Sequence, residues 1–188
     1  MAYLALGDSI TWQPGYADLL GWEKLGIVGA QTLHWLPDGP IFANNEFPES
    51  ADVVSIFLGA NDAAARVDPA VYGERLDEIA THLDARYGDV LVITPVKREG
   101  FLNLGYTAAY RNEALALCDV RDDLDCVDVW PLLDLDLHFT SGGVHPNAEG
   151  HALIAEAVQQ SLPEPGSWLL LTLVAAVACR WGRRRRSA

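Results

Sequence analysis

The stretch YLALGDSIT (3–11) runs from four apolar residues straight into glycine, aspartate and serine. An apolar run this short, closed by turn residues, reads as a buried strand rather than a helix. DVVSIFLG (52–59), DVLVITP (89–95) and CVDVW (126–130) repeat the pattern, and KLGIV (24–28) is a weaker copy. Helical patterns lie between them. In DPAVYGERLDEIATHLDARYG (68–88), Asp68 is placed to cap, Pro69 to open and Gly88 to stop a helix. Val71, Leu76, Ile79, Ala80 and Leu83 form its expected apolar stripe. TAAYRNEALALC (107–118) and NAEGHALIAEAVQQSL (147–162) are further helices. Strands alternating with helices predict an α/β fold, a parallel sheet covered on both faces with right-handed crossovers. Ligands then bind beyond the carboxyl ends of the strands.

A chain of 188 residues, 50% apolar and 21% charged, suits one packed domain. The reading assigns residues 1–162 to that domain and 163–188 to a tail. Five arginines (180 and 183–186) lie in the tail; removing them from the formal net charge of −13 leaves −18 on residues 1–179. So acidic a body repels phosphate backbones, which excludes nucleic acid as an expected partner. Three cysteines are too few for a disulfide-built scaffold. Cys118 and Cys126 are spaced either to pair in an oxidising compartment or to stay as two buried thiols. Zinc spacing is missing, and DVRDDLD (119–125) lacks the glycine and closing glutamate of a calcium loop, so no metal is expected.

The chemistry-bearing residues gather at the predicted strand ends. The first strand leads into Gly7-Asp8-Ser9, the second into Gly29, the third into Gly59-Ala60-Asn61-Asp62, and the last towards SGGVHPN (141–147) with His145. A serine beside a histidine attacks a carbonyl once the imidazole takes its proton, and the resulting oxyanion needs hydrogen-bond donors. A glycine lets a backbone N–H come close, and an asparagine amide is a further donor. Ser9 alone would read as an ordinary helix cap; with Asn61 and His145 it reads as one acyl-transfer site.

GDSIT (7–11), the glycine of IVGAQT (27–32), GAND (59–62) and VHPN (144–147) resemble the blocks of the GDSL, or SGNH, hydrolase family, in that family's order. The resemblance spans roughly residues 3–160. It implies a three-layer α/β/α, flavodoxin-like sheet of about five strands, and hydrolysis of carboxylic esters or thioesters without metal or organic cofactor. It assigns Ser9 as nucleophile and oxyanion donor, Gly29 and Asn61 as the other donors, and His145 as base. A nucleotide-binding module is the weaker expectation, because neither G-x-G-x-x-G nor a P-loop follows the first strand.

One position departs from the pattern. The family has an aspartate three residues before the histidine, where this chain has Gly142. That aspartate accepts a bond from the far ring nitrogen and fixes the tautomer. Three readings stand: Asp134 or Asp136 substitutes as orienting acid, a backbone carbonyl does so, or the domain is degenerate and binds glycan or acyl groups. His34, His82 and His151 read as solvated or satisfied helix histidines, with His138 held in reserve. Trp12, Trp22 and Trp35 read as packing residues.

The tail reads PEPGSWLLLTLVAAVACRWGRRRRSA (163–188). Its uncharged run Trp168–Cys179 would span about 18 Å of helix, against a hydrocarbon core of about 30 Å. Proline-bounded break, apolar run and arginine cluster resemble a PEP-CTERM sorting signal, which implies an exosortase-type membrane protease as partner and a short transmembrane segment. The expected location is the cell envelope or beyond it, with acylated glycan as an attractive substrate. The alternative is cytoplasmic, because MAYLALGDSIT enters the first strand with no basic region or cleavage site; the preferred expectation is a true start upstream of Met1.

Overall fold

The computed structural model of the chain describes residues 1–162; the tail read as a sorting and membrane signal lies outside the described residues. Five short strands form the centre: β1 (Tyr3–Gly7), β2 (Glu23–Gly26), β3 (Val53–Phe57), β4 (Asp89–Ile93) and β5 (Leu124–Val127). All four pairings are parallel, in the order β2-β1-β3-β4-β5.

Alternate side chains of each strand point to opposite faces. On one face Leu4, Leu6, Val54, Ile56, Val90 and Val92 pack with Leu76, Ile79 and Leu83 of α5 (Pro69–Tyr87) and with Tyr110 and Ala114 of α6 (Phe101–Val120). On the other, Ala5, Phe57, Leu91, Ile93 and Val127 meet Tyr16 and Ala17 of α2 (Tyr16–Leu20) and Ile154 and Val158 of α7 (Ala148–Ser161). Burial on both faces is why the strands read as unbroken apolar runs instead of alternating ones. The result is the expected three-layer α/β/α arrangement. Each fully buried leucine or isoleucine contributes roughly 1.5–3 kcal/mol, and truncating Leu76 to alanine would cost about 2–5 kcal/mol.

The helix signals act as read, with shifts at the edges. The Asp68 carboxylate accepts from Ala70 N at 2.9 Å, Pro69 opens α5 and Gly88 follows its last turn. Its buried stripe contains Tyr72 in place of the expected Val71. α6 starts at Phe101, six residues before the expected Thr107. Four helices of four to six residues had no periodic signature: α1 (Ser9–Trp12), α2, α3 (Pro40–Asn44) and α4 (Ala60–Ala65). Cys118 and Cys126 are joined as a disulfide that ties the last turn of α6 to β5. Among the described residues no helix is long and apolar enough to cross a membrane.

The strand order reverses at β1, whose neighbours are β2 and β3. The crevice beyond the carboxyl ends of β1 and β3 is therefore the expected ligand position, and Ser9 and Asn61 stand there.

Candidate active site

Ser9 is set by a tight strand-to-helix turn. The Asp8 carboxylate caps α1 by accepting from Ile10 N at 2.8 Å. Gly7 allows the close approach beneath: a Cβ there would lie 2.3 Å from Thr11 Oγ1 and 2.6 Å from the Phe57 carbonyl. The Ser9 hydroxyl is thereby turned towards His145, with Oγ 2.8 Å from Nε2. For the hydroxyl to donate, Nε2 must be the bare nitrogen and Nδ1 must carry the proton.

Asn61 joins three of the quoted blocks. Its Nδ2 donates to Asp8 Oδ2 at 3.1 Å and to the Ala30 carbonyl at 3.0 Å. Asp62 fastens the same loop further on, accepting from Thr32 N at 3.1 Å and Thr32 Oγ1 at 2.6 Å. Gly29 has φ +78°, a value that suits glycine. Among the described residues the N–H groups of Ser9 and Gly29 have no hydrogen-bond partner. Two backbone donors are thus free, on Ser9 and on Gly29, while the Asn61 amide is tied to Asp8 and Ala30.

His145 sits in a hairpin-like turn. Thr140 donates to the His145 carbonyl through its N (2.9 Å) and Oγ1 (3.1 Å), and Phe139 bridges to Pro146. Gly142 and Gly143 take φ +107° and +57°. Asn147 caps α7 by accepting from Gly150 N and reaches back to the Leu137 carbonyl. Burial, then the nearby Arg98 charge, holds the His145 pKa below its ordinary 6.5.

The far side of the imidazole is where the sequence departs from the pattern it resembles. Asp134 Oδ1 accepts from Asp136 N and Leu137 N and so closes its own turn, while Asp134 N donates to His138 Nδ1. Asp136 is an exposed residue of that same turn. Among the described residues no hydrogen bond joins either carboxylate, or any other acceptor, to Nδ1 of His145.

Asp8 had no separate sequence reading, whereas His151 is a satisfied helix histidine, as read. Asp8 is almost fully buried, and burial, with Asp62 adding to it, raises its pKa to about 7. His151 is buried at the start of α7, and Tyr16 N donates to its Nδ1 at 3.3 Å. Its Nε2 faces the Gln13 amide at 3.2 Å, and burial lowers its pKa to about 4, so it stays neutral. His151 and Gln13 help wall a cavity of about 540 Å³ that Pro146 and Asn147 also line. Trp12 was expected as packing; Trp22 and Trp35 are, but Trp12 is 60% exposed beside Ser9.

The fold has clear counterparts among known proteins. The family model of the GDSL-like lipase/acylhydrolase family matches residues 5–153. A lipolytic protein of the G-D-S-L family from Veillonella parvula superposes with a TM-score of 0.71 at 17% identity, covering 85% of this chain and 97% of that one. The lipase/acylhydrolase from Enterococcus faecalis gives 0.68 at 20% identity (85% and 94%), and an acetylxylan esterase from Geobacillus stearothermophilus gives 0.64 at 19% (85% and 93%). At such identities the structural likeness speaks for the fold. No curated protein matches the chain in sequence. Because the family model covers most of the chain, including the Ser9, Gly29, Asn61 and His145 segments, the chain belongs to the GDSL-like lipase/acylhydrolase family and is a hydrolase of ester bonds.

Proposed function

We propose that the chain is a serine esterase in which Ser9 is the nucleophile and His145 its base. The observation that carries this reading is the 2.8 Å approach of Ser9 Oγ to His145 Nε2. The hydroxyl proton passes to Nε2 as Oγ bonds to the ester carbonyl carbon. The carbonyl oxygen, now an oxyanion, lies among the N–H groups of Ser9 and Gly29 and the Asn61 amide. Collapse breaks the bond to the alcohol oxygen, which takes the proton from Nε2. Water then repeats the sequence on the acyl-enzyme and releases the acid. With no carboxylate on Nδ1, His145 works as the second member of a dyad. Such a site is slower than a full triad, because orientation of the imidazole is worth up to ~10⁴-fold.

The substrate class we infer is a small acyl ester, with acetyl groups on glycan hydroxyls preferred. The cavity next to the His145 turn, mostly apolar with polar groups from Gln13, Asp18, Asn147 and His151, and the exposed Trp12 indole suit a sugar. One structural neighbour is named as an acetylxylan esterase. We also propose export, sorting through the 163–188 tail and cleavage by an exosortase-type protease. The Cys118–Cys126 disulfide is in keeping with an oxidising compartment.

The test is hydrolysis of 4-nitrophenyl acetate by wild type and by Ser9→Ala with unchanged circular dichroism. The reading expects the activity to vanish in the variant. Equal turnover in both would overturn it and leave a fold that binds acyl or glycan groups. Intact-mass measurement on protein from its native host tests the tail: an end near residues 163–165 supports processing, and a full-length chain opposes it.

A further inference from the structure

We propose that Arg98 makes this site selective for esters that carry a carboxylate close to the scissile bond. The inference deepens the Ser9–His145 reading above and rests on it.

Arg98 lies in the loop between β4 and α6, and that loop is strung between two parts of the site. Arg98 Nη1 donates to the Ala60 carbonyl at 2.6 Å, one residue before Asn61. The next residue, Glu99, donates its N–H to the Gly143 carbonyl at 2.8 Å, two residues before His145. The guanidinium therefore stands over the crevice between the Asn61 and His145 segments. Its charge is felt by both Asp8 and His145, lowering the pKa of each.

No ion pair among the described residues neutralises it. Among the described residues Arg98 pairs with no carboxylate, although Arg111 binds Asp128 and Arg121 binds both Asp77 and Asp123. Its Nε is buried without a hydrogen-bond partner. The chain has 26 acidic residues against 13 lysines and arginines, so carboxylates are plentiful for an arginine that needs only a structural partner. A partly buried guanidinium with four of its five N–H groups unused is costly alone and matches a planar carboxylate in fork geometry. A ligand carboxylate would complete it. Asp8 is a poor internal substitute, since burial keeps that group largely protonated below about pH 7.

The chemistry fits an ester whose acyl part, or whose alcohol, is itself an acid, a uronic-acid unit bearing an acyl group being one form. Two pairs of probes separate the sides. For the acyl side, 4-nitrophenyl hydrogen succinate is compared with its neutral methyl ester. For the alcohol side, 4-acetoxybenzoate is compared with its methyl ester. The quantity read is the ratio of kcat/KM, anion over neutral, in wild type, Arg98→Met and Arg98→Lys.

In wild type the ratio should exceed one in at least one pair, despite the acidic surface, by roughly 10- to 100-fold, the scale of a charge-assisted contact. Arg98→Met should bring the anion-to-neutral ratio down to one or below, whatever it does to the absolute rates, and Arg98→Lys should keep part of the preference. A preference on one side only assigns the carboxylate to that side. Ratios below one in both pairs overturn the proposal. So does an Arg98→Met variant that slows anionic and neutral esters alike, which is what a purely positioning arginine would do. The layer beneath is checked separately. A wild type that cleaves the neutral esters, with Ser9→Ala inactive, keeps the catalytic reading even when this one fails; a wild type inert to all four esters overturns both.

Discussion

At the scale of single residues, Asn61 has two duties that mutation should separate. Both of its amide hydrogens are donated, to Asp8 and to the Ala30 carbonyl, so the oxyanion duty proposed for it requires one of these bonds to be exchanged. Asn61→Ala should lower kcat on the order of 10²–10³-fold, the usual loss for one oxyanion donor, and should also lower Tm. A thermal shift with unchanged kcat would leave only the structural duty. His145 gives a second prediction. A base must be neutral to accept a proton, and burial and Arg98 hold this one below its ordinary 6.5. The acid limb of kcat/KM should therefore fall below pH 6.5 and move upward in Arg98→Met; pH–rate profiles of the two proteins read this directly. Ser9, Gly29, Asn61 and His145 were legible because each stands in a short block with its own turn chemistry. Arg98 and Asp8 were not. Their surroundings come from the depth of the crevice and from which charges face each other across it, which the GDSIT block does not reveal although it contains Asp8.

At the scale of elements, the 140–147 turn decides how well the imidazole is held. A Cβ on Gly142 would meet nothing within 4 Å, so there is room for the family's aspartate, but φ +107° strains any side chain there. Gly142→Asp should raise kcat/KM relative to the isosteric Gly142→Asn, which carries the same strain without the charge, while both lose roughly 1–3 kcal/mol of stability. Equal kinetics in the two variants would mean that the new carboxylate does not reach Nδ1. If Asp134→Asn caused a large loss instead, its carboxylate would have to leave its own turn to serve His145. The long elements were read from sequence because α5 and α7 carry caps and several turns of periodicity. Helices such as α1 and α4 span barely more than one turn, so 3.6-residue periodicity has no length in which to show. They form because Asp8 caps one and Asp62 anchors the other against Thr32. The start of α6 was missed for a related reason: FLNLGY (101–106) has a glycine and no capping side chain at its head.

At the scale of the whole molecule, charge and burial oppose each other. A buried Asp8 with its pKa raised from 3.8 to about 7 favours the folded state only while it is protonated. Its contribution is present in full below pH 3.8 and is lost as pH rises through about 7; burial raises Asp62 in the same sense. The two carboxylates thus work against stability at alkaline pH, Asp8 by roughly 4 kcal/mol. Mutual repulsion in a chain of net charge −13 acts in the same direction. Urea unfolding between pH 5 and pH 9 should show stability falling with pH, and less steeply in Asp8→Asn. A flat profile, or the same slope in the variant, would mean that Asp8 is not held protonated. The sheet and its two covering layers were legible at this scale, since continuous apolar strands alternating with helices leave few other architectures. The Cys118–Cys126 bond was left open, because sequence spacing does not say how the end of α6 faces β5.

The central claim, that Ser9 is activated by His145, is tested most directly by covalent labelling with a fluorophosphonate followed by peptide mass spectrometry. Wild type should carry the phosphonyl group on Ser9, slowly compared with a full triad, and His145→Ala should abolish the label while the fold persists. A wild type that stays unlabelled, or one labelled equally well with and without His145, would contradict it.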